Sequence, residues 1–287
     1  DDLSINPIEN LNTKLGYYES KDYLTRNFNE VVVGEKFTIK KSSNIIKLNS
    51  EINFLKKIPF KIKKFFPKIK DTGKNFYKMD TINGLKLSYL LVNNLLTKED
   101  LTILFKKLNF IHNSKILKDH IKINIYDNYS KKFNTRTKNL IKYKKKYLDK
   151  ISEYLKNYEN FNKGKIGVIH GDPVLSNIIK KNNNDLIFID PRGSLGKNFT
   201  IFGDINYDFA KIYQSLTGYE NIILEKKMDQ NYLNDLKSHF ENLMINKNQI
   251  DNVETLRYLT SSLYFTLINF HNKKYTSKFV DIACDLI

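Results

Sequence analysis

Residues 30–41 (EVVVGEKFTIKK) run apolar and β-branched on either side of Gly34-Glu35, the pattern of two strands joined by a tight turn. Ile52, Leu55 and Ile58 then share one face of a helix expected over 50–58, and 75–82 (NFYKMDTI) reads as a further strand that breaks at Asn83-Gly84. Up to that break the chain is a small sheet with one helix. Beyond it the period changes to helical. Thr97 and Asp100 form a capping-box start to a helix whose apolar positions are Leu101, Leu104, Phe105, Leu108 and Ile111. The lysine- and tyrosine-rich stretch 127–160 carries Leu140, Tyr143, Tyr147, Ile151 and Leu155 at spacings of three and four, and 205–217, 228–244 and 252–270 are helical in period as well. No fixed-period repeat is present. The change of pattern divides the chain into a strand-rich lobe, 1–82, and a mainly helical lobe, 83–287, with a hinge at about 79–84.

A length of 287 residues suits two lobes or one large domain. The single cysteine, Cys284, excludes an internal disulfide and a cysteine-cluster metal site. The histidines His112, His120, His239 and His271 lack metal-ligand spacing, and His112, on the apolar side of its helix, reads as a core residue. No run of eighteen apolar residues occurs, so no transmembrane segment is expected, and nothing at the start resembles a signal segment. A cytoplasmic protein is expected. The chain opens on Asp1 rather than Met, so a processed chain, or a domain with a neighbour before Asp1, is a further expectation. The 48 basic against 31 acidic residues give a net charge of +17, with the lysines spread along the whole chain. That distribution reads as a solvated basic surface, a matter of solubility and association rather than of fold.

Chemistry concentrates in 166–193 (IGVIHGDPVLSNIIKKNNNDLIFIDPRG), where seven of the eleven glycines begin to cluster between 164 and 218. An apolar strand ends in His170-Gly171-Asp172. Two short strands, 177–180 and 186–189, are joined by an asparagine-rich turn whose residues tolerate positive φ. Such a hairpin sets Asn177 beside Asp190, with Asp172 five residues before Asn177. Converging oxygen-bearing side chains of this kind suit a hard divalent cation and a phosphate chain. Singly, each residue also reads as a turn former or a helix cap; the combined spacing is harder to reach by turn chemistry alone.

His170-Gly171-Asp172-Pro173-Val174-Leu175-Ser176-Asn177 and Ile187-Phe188-Ile189-Asp190 resemble the catalytic pattern of the aminoglycoside phosphotransferase and choline kinase-like family, small-molecule relatives of protein kinases. The stretch 203–211 (GDINYDFAK) is similar to the family's Gly-Asp-Pro-x-x-Asp-Leu-Ala segment, with Ile205 in place of proline. The resemblance implies an α+β protein-kinase-like two-lobe fold, ATP and magnesium as cofactors, and transfer of the γ-phosphoryl group to a hydroxyl of a small molecule. It makes Asp172 the catalytic base, Asn177 and Asp190 the metal ligands, and His170 a scaffold residue. From the strand-rich lobe it calls for a lysine held by a glutamate. Lys40 and Glu51 are the expected pair, with Lys41 as competitor on the opposite strand face, and Met79, Asp80 and Ile82 are expected at the hinge that takes the adenine edge. Asp208 is read as bonding to loop backbone or touching substrate. Arg192 is read as pairing with an anionic substrate group or bracing the loop through a carboxylate such as Asp208.

The likeness spans roughly 25–275, but only 166–211 is specific. There is no glycine-rich loop; the turn expected over the phosphates reads Asn27-Phe28-Asn29-Glu30. Pro-Arg-Gly after Asp190 resembles a subset seen beside bacterial surface-polysaccharide genes. The acceptor is expected over the helical lobe. A choline-type acceptor calls for an acidic, aromatic cage, and this chain has no Trp, although it has eighteen Tyr. Its positive charge, with Arg192 and Arg257 at hand, leans toward a sugar or a phosphorylated or carboxylated compound. Two other readings stay open: a catalytically inactive kinase-like binding module, and a nucleic-acid-binding protein that stacks bases on the tyrosines of 129–158, although nucleic acid is not the expected partner.

Overall fold

The computed structural model describes residues 29–114, 123–247 and 252–287. Asp1, Asn27, Phe28 and His120 lie outside them, so the expectations that fall on these residues are not addressed by the structure. The hairpin read around Gly34 is present: β1 (Asn29–Val33) pairs antiparallel with β2 (Phe37–Ser42), and Gly34 N–H donates to Phe37 O at 2.9 Å. Along β2, Thr38, Lys40 and Ser42 alternate inward as the two-residue strand period requires. Helix α1 (Ile45–Lys57) covers this face. It begins five residues before the expected start at Ser50, because the Asn44 side chain accepts from Lys47 N–H and caps the helix there. The sheet is completed by β3 (Ile69–Thr72), which the sequence reading missed, and β4 (Phe76–Asp80), in the order β1-β2-β4-β3. The strand expected to reach 82 stops at Asp80, where Thr81 turns its N–H to Lys36 O and its hydroxyl to Gly34 O.

After Thr81, β5 (Leu85–Lys86) leads into α2 (Leu87–Val92) and α3 (Lys98–His112). The Thr97–Asp100 capping box forms as expected, and Asp100 also takes an ion pair from Lys180 at 2.7 Å. The stretch expected as continuous helix over 127–160 is instead α4 (Ser130–Thr137), a 3-10 turn at Lys138–Leu140, and α5 (Ile141–Asn160), with Lys144 at non-helical φ −147, ψ 40. A straight helix of that span would be about 50 Å long. Breaking it lets α4 fold back onto α5 and bury Phe133 against Phe265. Strand β6 (Ile166–Val168) precedes the His-Gly-Asp loop; β7 (Ile178–Lys180) and β8 (Leu186–Phe188) form the predicted hairpin and join β5 in a second sheet, order β5-β7-β8. Asn184 in the connecting turn has φ 60, the conformation for which asparagine suits it.

Two short strands, β9 (Ser194–Leu195) and β10 (Asn198–Phe199), follow, and β11 (Phe202–Asp204) pairs back on β6. Every residue of α6 (Ile205–Leu216) is buried, including Asn206, Tyr207, Asp208, Lys211, Gln214 and Ser215. A helix that is polar yet wholly buried must satisfy those groups internally, so it is a natural place to look for chemistry. Helices α7 (Tyr219–Ile223), α8 (Gln230–Asn246), α9 (Val253–Leu267) and α10 (Thr276–Asp285) enclose it, and one hydrophobic cluster runs from Leu48 beneath the first sheet to Ala283 in α10. No helix among the described residues is long and apolar enough to cross a membrane. Replacing Thr97 by Ala removes half of the capping box and is predicted to lower unfolding free energy by about 1 kcal/mol, read from the denaturant midpoint. An unchanged midpoint would mean that the Asp100–Lys180 pair holds this helix end without the cap.

Candidate active site

Lys40 and Tyr77 face each other across β2 and β4, and Thr38 faces Met79, so all four side chains point to the same face of the sheet. Lys40 is 1% exposed, with its Nζ 2.7 Å from Glu51 Oε2 on α1 and 2.9 Å from Asp190 Oδ1 beyond β8. Lys41, on the outer face, pairs with Glu30 at the surface, so the lysine that meets Glu51 is Lys40. Burial pulls the Lys40 ammonium down, but Asp190 and Glu51 outweigh it and its pKa lies above the ordinary lysine value. Burial works to raise Asp190, and Lys40 overrides it, holding the carboxyl below its usual range. Glu51 moves the other way: burial pushes its pKa up despite Lys40, and Tyr77 donates its hydroxyl to the same Oε2 at 3.3 Å.

The His-Gly-Asp loop is pinned from below by Asp208. Its Oδ2 accepts from His170 N–H and its Oδ1 from Gly171 N–H, both at 2.8 Å, while His112 Nε2 donates to Oδ2 at 3.1 Å. Asp208 is 0% exposed with both oxygens engaged. The expectation that it touches substrate is therefore corrected: no part of this carboxylate reaches the surface of the cleft, and the loop-backbone reading is the one the geometry supports. His170 is buried as well. Its Nε2 donates to Ile189 O at 2.9 Å and its Nδ1 accepts from Asp172 N–H at 3.2 Å, while burial holds the imidazole neutral. The loop thus hangs between α6 and the end of the β7–β8 hairpin.

Asp172 leaves the loop with its side chain partly exposed and Lys211 Nζ 3.0 Å from Oδ1. Asn177 ends a short 3-10 turn; its Nδ2 donates to Asp172 O at 2.9 Å, and its own carbonyl accepts from Ile189 N–H at 2.9 Å, which sets it beside Asp190. Asp190 has φ 56 directly before Pro191, a backbone that side-chain and pre-proline sterics both disfavour. Asp172, Asn177 and Asp190 are therefore linked through the loop and hairpin backbone. Magnesium takes one or two carboxylates together with water and substrate phosphates rather than an all-protein cage. Asp190 with the side-chain amide oxygen of Asn177 fits that donor set, and among the described residues no group of three His, Cys, Asp or Glu could hold a metal by itself.

Arg192 does not brace the loop through Asp208. Its Nη1 donates to Tyr207 OH at 3.2 Å, its N–H donates to His170 O at 2.8 Å, and its carbonyl accepts from Ser50 Oγ at 2.8 Å. Met79 is buried under the sheet. The Asp80 N–H is taken by Lys68 O and its carboxylate by Lys70 at 3.0 Å, and Ile82 lies two residues past the strand end, half-buried. Arg257 is held away by Glu241, to which Tyr213 also donates. Within 129–158, Tyr129 and Tyr158 each donate to Asp204 at 2.6 Å, and Tyr154 stacks on Tyr258 with ring centres 4.0 Å apart. Rings so engaged are not open to stack on bases.

Sequence reasoning missed Lys211, Tyr207, Lys132 and Glu220. Tyr207 and Lys211 stand in the quoted 203–211 stretch, four residues apart and so on one helix face, and a lysine one turn from a tyrosine in that stretch was the available signal. Glu220 is wholly buried under the loop, accepting from Ser215 Oγ at 2.7 Å, and Ser215 Oγ accepts from Leu175 N–H at 3.0 Å.

No protein-family model matches the sequence, and comparison with curated proteins finds no significant match. Solved structures do share the fold. A choline kinase of Streptococcus pneumoniae superposes with a TM-score of 0.60 at 14% identity over 97% of this chain and 98% of that one. An ethanolamine kinase of Plasmodium vivax gives 0.57 at 12% identity over 100% and 95%. An aminoglycoside phosphotransferase of Streptomyces rimosus, solved with ADP and streptomycin, gives 0.54 at 13% identity over 90% and 98%. The chain has the protein-kinase-like fold.

Two tests follow from these contacts. Gly193 sits at φ 62, and a Cβ there would lie 1.9 Å from Ser50 O on α1, so Gly193→Ala is predicted to cost about 2–4 kcal/mol of stability in chemical unfolding. A wild-type midpoint would show that this approach is not needed. Burial raises Glu220 to about 7, from 4.5, against the help of Ser215 and the Ser176 and Leu175 N–H groups. Between pH 4.5 and 7 the folded protein keeps a proton that the unfolded chain releases, so this group's contribution to stability falls as pH rises through that window. Glu220→Gln is predicted to remove that fall and to stabilise the protein by about 1–3 kcal/mol at alkaline pH. Parallel stability–pH curves for both proteins would contradict it.

Proposed function

We propose that the chain is a small-molecule kinase that transfers the γ-phosphoryl group of ATP, in the presence of magnesium, to a hydroxyl group. The observation that carries this reading is the chain Glu51–Lys40–Asp190, buried at Glu51 and Lys40 and partly exposed at Asp190, because it joins a sheet lysine to the carboxylate that follows the hairpin, 150 residues away. One ammonium against two carboxylates leaves the cluster net negative, which suits a divalent cation at Asp190 that carries a phosphate chain toward Lys40. In this reading Lys40 offsets phosphate charge and Glu51 holds it in place. The hinge backbone from Asp80 to Ile82 takes the adenine edge, beside buried Met79. Asn177 and Asp190 hold magnesium, which supplies positive charge between the phosphates.

Asp172 accepts the proton of the acceptor hydroxyl, or holds it as the oxygen attacks. Lys211 holds that carboxylate in place, 3.0 Å away. Asp208 and His170 fix the loop, so that positioning rather than covalent chemistry provides the acceleration. The kinases and the phosphotransferase that share the fold support the reaction class. An acceptor among sugars, amino alcohols or related metabolites, a role in surface-glycan synthesis and a cytoplasmic location belong to the same proposal. The positions of Asp172, Asn177, Asp190 and Lys40 argue for an active enzyme over an inactive binding module.

Asp172→Asn is predicted to lower kcat by about 10²–10⁴-fold while the nucleotide Kd changes little, and Lys40→Met to weaken nucleotide binding at least about tenfold. Magnesium-dependent ADP release and calorimetric nucleotide titration measure the two effects. Full activity in Asp172→Asn would sink the reading.

A further inference from the structure

Three cationic side chains from three separate elements gather on the helical side of Asp172. Lys132 Nζ, from α4, donates to Tyr207 OH at 3.1 Å and to Asn128 Oδ1 at 3.4 Å. Arg192 Nη1, from the segment after Asp190, donates to the same phenol oxygen at 3.2 Å. Lys211 Nζ lies one turn after Tyr207 on α6 and bridges Asp172 Oδ1 at 3.0 Å and Gln214 Oε1 at 3.4 Å. Tyr207 is 2% exposed and Lys211 7%, whereas Lys132, Arg192 and Asp172 are half-buried, so the group opens toward solvent on the side of the reacting carboxylate.

The charges do not balance. Lys211 has Asp172, but among the described residues neither Lys132 nor Arg192 has a carboxylate partner; both share the one hydroxyl of Tyr207. Two uncompensated positive charges side by side repel each other, and holding them half out of water adds a desolvation cost. The titration directions agree: burial, with Arg192 and Arg136 nearby, lowers the Lys132 ammonium to about 7, and the Tyr207 phenol, which burial would raise, is brought to about 7 by Lys132, Lys211 and Arg192. Such a group lacks an anion. Lys40 stands at Asp190 and Lys211 at Asp172, so cations flank both carboxylates, and the set at Asp172 is the one on the acceptor side.

We propose that the Lys132–Tyr207–Arg192 group, together with Lys211, binds an oxyanion on the acceptor itself, so that the substrate is a hydroxyl compound carrying a phosphate monoester or a carboxylate. The inference rests on the kinase reading for the role of Asp172. The planar fork of Arg192 suits either oxyanion, and the two ammonium groups add charge without demanding one orientation. Binding such an acceptor relieves the repulsion between Lys132 and Arg192. Choline and ethanolamine, cationic alcohols, meet the opposite of what they need here.

The test separates the two readings. Wild-type protein is assayed for magnesium-dependent ADP release with matched sets: glycerol, glycerol 3-phosphate and glycerate; glucose, glucose 6-phosphate and glucuronate; and choline with ethanolamine. The expected result is a kcat/KM at least about tenfold higher for an oxyanion-bearing member than for its neutral parent. Lys132→Met and Arg192→Met should each raise the KM of that acceptor about tenfold or more while leaving the nucleotide Kd within about threefold, with Lys132→Arg recovering part of the loss. Preference for a neutral sugar or a cationic alcohol overturns the proposal and leaves the kinase reading standing. So does a loss confined to nucleotide affinity, which would assign the group to the triphosphate. If no member is turned over, calorimetry with inorganic phosphate decides. Saturable binding that Arg192→Met abolishes supports the site, and no binding overturns it. ADP–magnesium titration reports separately on the kinase reading, since its failure sinks that reading whatever phosphate does.

Discussion

Lys40 carries a full positive charge to a place where almost no water reaches it, and that is stable only because two carboxylates meet it at 2.7 and 2.9 Å. The carboxylates come from unrelated parts of the chain, one from α1 and one from the far end of the β7–β8 hairpin. Neither can shift without stranding the ammonium. The first sheet, its helix and the hairpin are thereby locked into one relative arrangement. The same constraint explains why α1 and the Pro-Arg-Gly segment are drawn so close that only glycine fits at 193, and why Ser50, inside a helix, reaches out to the Arg192 carbonyl.

A second constraint lies under the His-Gly-Asp loop. Polar groups on a fully buried helix must be satisfied within the protein, and α6 meets that demand by turning Asp208 to the backbone of His170 and Gly171, and Ser215 to Leu175. The loop is held by what would otherwise be buried, unpaired groups. Asp172 is consequently the member of this network that faces outward, with Lys211 beside it. Stabilising the helix and orienting the loop are one and the same set of hydrogen bonds.

The two carboxylates of the cleft differ in surroundings. Asp190 is tied to the sheet by a deeply buried lysine, whereas Asp172 is tied to the central helix by a lysine whose neighbours carry more positive charge than the local acids offset. In the proposed kinase reading that asymmetry divides the work: one carboxylate serves a nucleotide-bound metal and the other faces a separate, anionic reactant.

From the sequence alone came the hairpin around Gly34, the capped helix at Thr97, the paired strands that bring Asn177 beside Asp190, and the His-Gly-Asp loop itself. These were legible because each depends on neighbours in the chain: alternation, a cap three residues from its partner, asparagine in a tight turn. The sequence could not choose between Lys40 and Lys41, since adjacent strand residues face opposite ways and only the position of α1 decides which face is inside. It read Asp208 as a residue that might touch substrate because it could not show that two backbone amides would claim both oxygens. It ran 127–160 on as one helix, since helical period persists locally even where packing forces the chain to fold back. Lys132, Arg192, Tyr207 and Lys211 became a group only in three dimensions. Charges lying 19 to 79 positions apart acquire meaning when folding removes the water between them.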